Sequence, residues 1–397
     1  MKLKMIILLM VMFIGCKKEP IKPDIPLGGG APKADTNLIW KIPIFPDTSY
    51  CFTAQLVGRT APNTLLAGYM KAAQADTNHI SLFSVSDSIY RLWTWDDYFP
   101  DERQSGVWVF NESYAFVNGR TALYGIDLSN GNTMWRVKFP SNLGVQKTIA
   151  IIGDRIFHVR EQGAKSTLYM ADVAQGDWQP TFSVEGENGF ESSIKRPVGA
   201  RNAHGDMILY FQDRQYSYSS FASRVDFYAY NLTKGEILWK LEDISPQESN
   251  TSPAVLDEVN RRMYFLTWHT IFCWDMDTGE EIWKVPLAAG VLASNPILYD
   301  GKLIMKTDQG YLTAFDAATG QELYYVKQGA CCIGRMLAYD GRLYYTDRSL
   351  YIVNPSTGEV LHKIGGDFQS RPPVIDAERN VMYLMDRYYM YCYKIPE

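Results

Sequence analysis

The chain has 397 residues, a formal net charge of −5 and an aromatic content of 14%. An acidic balance with no basic stripe argues against a nucleic-acid-binding surface, so no nucleic acid is expected as partner. Past the N-terminal segment no apolar run is long enough to cross a bilayer as a helix.

In chain order, a short basic start, Met1-Lys-Leu-Lys4, precedes an apolar run over 5–14, and Gly15-Cys16 follows directly. That run is too short for a permanent span and has the layout of a signal peptide, expected over 1–15. The small residue before Cys16 resembles the lipobox of bacterial lipoproteins. That resemblance implies cleavage before Cys16 and acylation of its thiol and new amine, which would anchor the chain to a membrane. Residues 16–35 hold several prolines and Gly28-Gly29-Gly30, the composition of a flexible tether. Lys17-Lys18-Glu19 lacks the Asp that resembles an inner-membrane retention signal, so outer-membrane anchoring is favoured, on either face.

From residue 36 onward the chain repeats itself. An extended apolar run ends in Asp or Asn, a glycine follows four residues later, and a second strand ends on an aromatic residue. The copies lie at 124–135, 168–178, 228–239, 272–283, 312–324 and 352–362, the last keeping the turn but losing the terminal aromatic, with a worn one over 79–95 ending at Trp93 or Trp95. Asp127, Asn231, Asp275, Asp316 and Asn354 can each accept from backbone N–H groups two residues on, forming Asx-turns. Gly131, Gly235, Gly279, Gly320 and Gly358 supply the positive φ such turns need. Trp135, Trp239 and Trp283 are expected to pack between neighbouring sheets, and Trp178 marks the same place in a shortened third copy. These residues are assigned to holding the fold.

Two more strands precede each copy, joined by hairpin signals such as Asp300-Gly301 and Asp340-Gly341. Each unit is therefore a four-stranded antiparallel meander of about 40 residues, the blade of an all-β propeller. Asn37-Leu-Ile-Trp40 reads as a fourth strand with no hairpin before it, while the C-terminus supplies three strands without a fourth. The N-terminal strand is expected to join the C-terminal blade and close a ring of eight over 36–397, with seven blades as the fallback.

Few residues outside the motif point to chemistry. No catalytic constellation and no metal-ligand spacing stands out among the five histidines. Cys273 and Cys392 fall at equivalent third-strand positions and read as buried thiols, and Cys51 has no evident partner. Cys331-Cys332 either forms a vicinal disulfide, as an exported chain permits, or opens an inner strand as two small apolar side chains. An insertion stretches the fourth blade, placing Tyr216, Tyr218, Phe221 and Arg224 in a segment suited to contacting a partner, or in a longer hairpin tip that binds nothing.

The repeats resemble those of the PQQ-like propeller lipoproteins, a family that includes the scaffold subunit of the outer-membrane β-barrel assembly machinery. The resemblance implies a membrane-anchored, non-enzymatic scaffold that contacts other envelope proteins and needs no cofactor. Two alternatives stay open. The same repeats resemble those of quinoprotein dehydrogenases, which would imply pyrroloquinoline quinone and Ca²⁺, with Cys331-Cys332 against the cofactor. The other alternative is a ligand- or glycan-sensing surface propeller.

Overall fold

The computed structural model describes residues 37–44, 51–58, 61–71, 78–86, 89–99, 104–119, 121–139, 148–244, 252–287, 294–328, 335–368 and 371–397. Every regular element among them is a strand, and the strands form eight antiparallel sheets. The sheets are the blades of a propeller: 51–95, 104–138, 149–185, 191–241, 255–286, 297–327, 337–368, and 374–394 together with 38–43. In blade 7 the second and third strands run together as one twelve-residue ribbon, Arg342–Val353, which pivots at Arg348 with φ 59°.

Burial explains the strand pattern. In the second strand of blade 5, Met263 and Phe265 face blade 4 while Tyr264 and Leu266 face blade 6. Both faces of such a strand are covered, so it reads as a continuous apolar run. The outer strand Glu281–Pro286 alternates between exposed and half-buried positions, because one side of it meets water. Eight apolar clusters result, one at each junction of neighbouring blades, including the junction of blade 8 with blade 1. Each fully buried Leu, Ile or Phe contributes about 1.5–3 kcal/mol to these junctions.

The ring is closed by the start of the chain. Leu38–Pro43 pairs antiparallel with Tyr389–Lys394 as the outermost strand of blade 8. Its Ile42 packs with Phe83 of blade 1 and Met390 of blade 8. The blades number eight, as the split repeat requires.

One joint recurs around the ring. Trp283 lies opposite Cys273, beside a register shift in the ladder. Its ring rests on Gly320 of the next blade, where an added Cβ would come within 2.8 Å of it, and its indole N–H donates to Ala317 O at 3.3 Å. Gly320 has φ +75°, and Asp316 Oδ1 accepts from Ala318 N at 3.0 Å to form the Asx-turn. The same pairing of ring on glycine and donor on carbonyl joins Trp93 to Leu128 O, Trp135 to Val173 O, Trp239 to Met276 O and Tyr324 to Pro355 O. Trp93, opposite Leu82, is thus the blade 1 member, and Trp95 is buried beside Tyr124.

The third repeat departs from its sequence assignment. Opposite Leu168, where a Trp stands in other blades, the structure places Phe182. Trp178 turns back instead against Trp135 and His158. The shortened turn moves the register, so the aromatic residue that holds the joint comes four positions later in the chain.

Candidate functional site

Blade 4 is where the period breaks, and its insertion is built as strand rather than loop. Its first three strands, Glu191–Arg201, Met207–Ser217 and Ala222–Asn231, have 11, 11 and 10 residues, against 3, 5 and 6 in blade 5. The pairs Ser192↔Gln215 and Gln215↔Arg224 carry a three-stranded ribbon beyond the ordinary blade edge. At its tip Tyr218 is 66% exposed and Phe221 80% exposed, with Phe221 held at φ 54°. Tyr216 packs edge-on to Tyr218 at 4.8 Å between centroids. Arg224 lies in the stem: its guanidinium donates to Gln215 Oε1 at 2.9 and 2.6 Å and stacks over Phe190 at 5.0 Å. Of the four residues singled out in this segment, two form an exposed apolar tip and two stiffen what supports it.

A buried polar network underlies the ribbon. Gln215 Nε2 donates to Asp213 Oδ2 at 3.0 Å and to Asp226 Oδ2 at 3.1 Å. Ser192 Oγ and Ser193 N donate to Asp213 Oδ1 at 2.7 and 2.9 Å, and Lys240 Nζ stands 3.2 Å from Asp226 Oδ2. Burial pushes the Asp213 carboxyl above its ordinary pKa, opposed by the bonds from Ser192 and Ser193. Beside this network a cleft of about 410 Å³ opens between the outer strand of blade 3 and blade 4, lined by Phe182, Glu185, Glu187, Arg224, Lys240 and Glu242. The sequence signal for it was polar residues recurring inside strands of an apolar blade.

The inner strands of the blades surround the channel, and all are entered from the same face. Arg335 precedes inner strand Leu337–Tyr339 by two residues and Arg371 precedes Val374–Asp376 by three. Arg196 precedes Val198, where regular pairing of the first strand of blade 4 with the second resumes after a register shift, and it has φ 49°. Burial and repulsion from Arg335 lower the pKa of both Arg196 and Arg371. At the same rim, Lys306 is buried and pairs with Asp347 at 3.2 Å.

Cys273 and Cys392 are free and buried, and burial pushes each thiol up to about 12. Cys16, Cys331 and Cys332 lie outside the described residues, as do the expected signal peptide and tether. Among the described residues no three His, Cys, Asp or Glu side chains come together in a way that could hold a metal ion.

Comparison with known proteins finds a likeness in sequence over part of the chain and in fold over most of it. The family model described as "Outer membrane protein assembly factor BamB" matches residues 222–372. The structure of BamB from Moraxella catarrhalis is similar with a TM-score of 0.55 at 12% identity, covering 87% of this chain and 99% of that one. A quinohemoprotein alcohol dehydrogenase from Comamonas testosteroni is similar with a TM-score of 0.63 at 10% identity, covering 88% of this chain and 76% of that one. These structural likenesses establish the fold. In sequence, a tetrathionate hydrolase of Acidithiobacillus ferrooxidans is 28% identical over 287 residues, 64% of this chain and 52% of that protein. The chain thus spans about half the length of that curated relative.

Proposed function

We propose that this chain is a non-enzymatic binding scaffold of the bacterial cell envelope, tethered through a lipid on Cys16, favouring the outer membrane. The observation that carries the proposal is the blade 4 hairpin: an apolar tip, Tyr218 and Phe221, presented to solvent on a stem stapled by Arg224 and Gln215. Rigid aromatic anchors with little entropy left to lose suit recognition of a protein partner. The match of residues 222–372 to an outer-membrane protein assembly factor supports the envelope setting.

The test is a pull-down from detergent-solubilised envelopes with the full chain and with a Tyr218→Ser/Phe221→Ser double variant. The wild type is expected to retain a defined set of envelope proteins that the variant loses at equal melting temperature. An identical set from both, or dye-linked alcohol oxidation on adding the quinone and Ca²⁺, would overturn the proposal.

A further inference from the structure

The cleft between blades 3 and 4 opens where the recurring joint is missing. Phe182 stands opposite Leu168 in place of a Trp, and no aromatic ring rests on Gly235. Five carboxylates line the cleft, those of Glu185, Glu187, Asp226, Glu242 and Asp243, against two cations, Arg224 and Lys240. Lys240 answers two of them, with Nζ 2.7 Å from Glu242 Oε1 and 3.2 Å from Asp226 Oδ2. Arg224 is spent on Gln215 Oε1 and the Phe190 ring rather than on a carboxylate. Glu185, Glu187 and Asp243 form no ion pair among the described residues, although Lys165 stands across the ladder from Glu185.

A buried donor faces the same space. Tyr228 is 4% exposed and lines the cleft, with its ring stacked on Phe211 at 5.4 Å and Lys240 Nζ 5.3 Å from its centroid. Burial pushes the Tyr228 hydroxyl up to about 12, so its proton stays on. Lys240 beside it can only donate, and among the described residues no acceptor takes that proton. Phe182 and the exposed Ile237 add apolar wall. Such a cleft suits a ligand with a cationic end, an apolar stem and a neutral acceptor. A basic residue inside a peptide carries all three, as its charged head, its methylenes and its backbone carbonyl.

We infer that the cleft is a docking site for a lysine or arginine side chain of a peptide segment, with Glu185 and Glu187 meeting its charge and the Tyr228 hydroxyl its backbone carbonyl. Charge-assisted bonds to the glutamates supply the selectivity for a cation, and the tyrosine separates a peptide from a free amine. The site needs neither Tyr218 nor Phe221, so it does not depend on the hairpin tip.

Calorimetric titration of the full chain at constant ionic strength tests it, with acetylated and amidated Ala-Arg-Ala, Ala-Lys-Ala and Ala-Gln-Ala as probes. Butylguanidinium, which has the charge and stem without the carbonyl, is the fourth probe. Saturable single-site binding is expected for at least one basic peptide, at least about tenfold tighter than for the glutamine peptide. Glu185→Gln/Glu187→Gln should weaken that peptide at least about tenfold at an unchanged melting temperature, both positions being exposed. Tyr228→Phe should weaken the peptide about fivefold and leave butylguanidinium unaffected, a split that a merely structural change would not give. Tyr218→Ser/Phe221→Ser should bind the peptide like wild type, which separates this site from the hairpin tip. No saturable binding of either basic peptide, equal affinity for the glutamine peptide or for butylguanidinium, or unchanged affinity in the glutamate variant would overturn the proposal.

Discussion

The joints between blades 4, 5, 6 and 7 and the joint between blades 3 and 4 join sheets of the same kind by different means. In the first group an aromatic ring covers a turn glycine and donates a hydrogen bond to the adjoining carbonyl. Between blades 3 and 4, Phe182 has no donor, and Gly235 meets only the Tyr230 hydroxyl at 3.7 Å from an added Cβ. Phe182 instead packs among Phe211, Tyr228 and Tyr230 at centroid distances of 5.2, 5.6 and 4.9 Å. The polar network, the cleft and the extended hairpin all adjoin this irregular joint. The lock recurs at five junctions, and the joint between blades 3 and 4, which lacks it, adjoins the structure that is not repeated.

The largest effect should come from crowding a lock. Gly320→Ala puts a methyl group against Trp283 at positive φ and is expected to cost about 3 kcal/mol in urea unfolding. Gly235→Ala meets only the Tyr230 hydroxyl at ordinary contact distance and should cost about 1 kcal/mol, the backbone penalty alone. Equal losses would break the distinction between the two joints. Next in size, Trp239→Phe removes the indole donor to Met276 O and should lose about 1–2 kcal/mol, with part of the bond kept by the Tyr210 hydroxyl at 3.1 Å.

Opposite pH slopes should sharpen the contrast. His158, buried between blades 2 and 3, donates from Nδ1 to Thr148 O at 3.0 Å, and burial together with Arg160 holds its pKa well below 6.5. The unfolded chain therefore takes up a proton that the folded chain refuses, and stability falls as pH drops below 6.5. Asp213 acts in the other sense: its raised folded pKa keeps the proton on the native state, so its contribution is lost as pH rises above 3.8. His158→Leu should flatten the first slope and Asp213→Asn the second, read from melting temperature against pH. The smallest effect is expected at the exposed tip, where Phe221→Ser should change stability by less than about 0.5 kcal/mol.

The architecture was legible because each blade states its turn in the same letters, from Asp127 to Gly358, and because Asn37-Leu-Ile-Trp40 lacks a hairpin of its own. Phe182 was not legible. Trp178 has the expected residue type at nearly the expected spacing, and only pairing geometry shows that it has slipped out of the joint. The hairpin's extra length was visible, but its Tyr, Ser and Arg content reads as loop, whereas cross-strand bonds such as Arg224 to Gln215 make it sheet.

That closure also decides how the molecule carries load. A pull on the chain ahead of residue 37 runs along Leu38–Pro43 and reaches the body through its five registered pairs with Tyr389–Lys394. Those pairs are drawn in shear and yield together rather than opening one at a time. The fastening strand is thus a mechanical coupling, placed where tension on the chain ahead of it would otherwise unwind the ring.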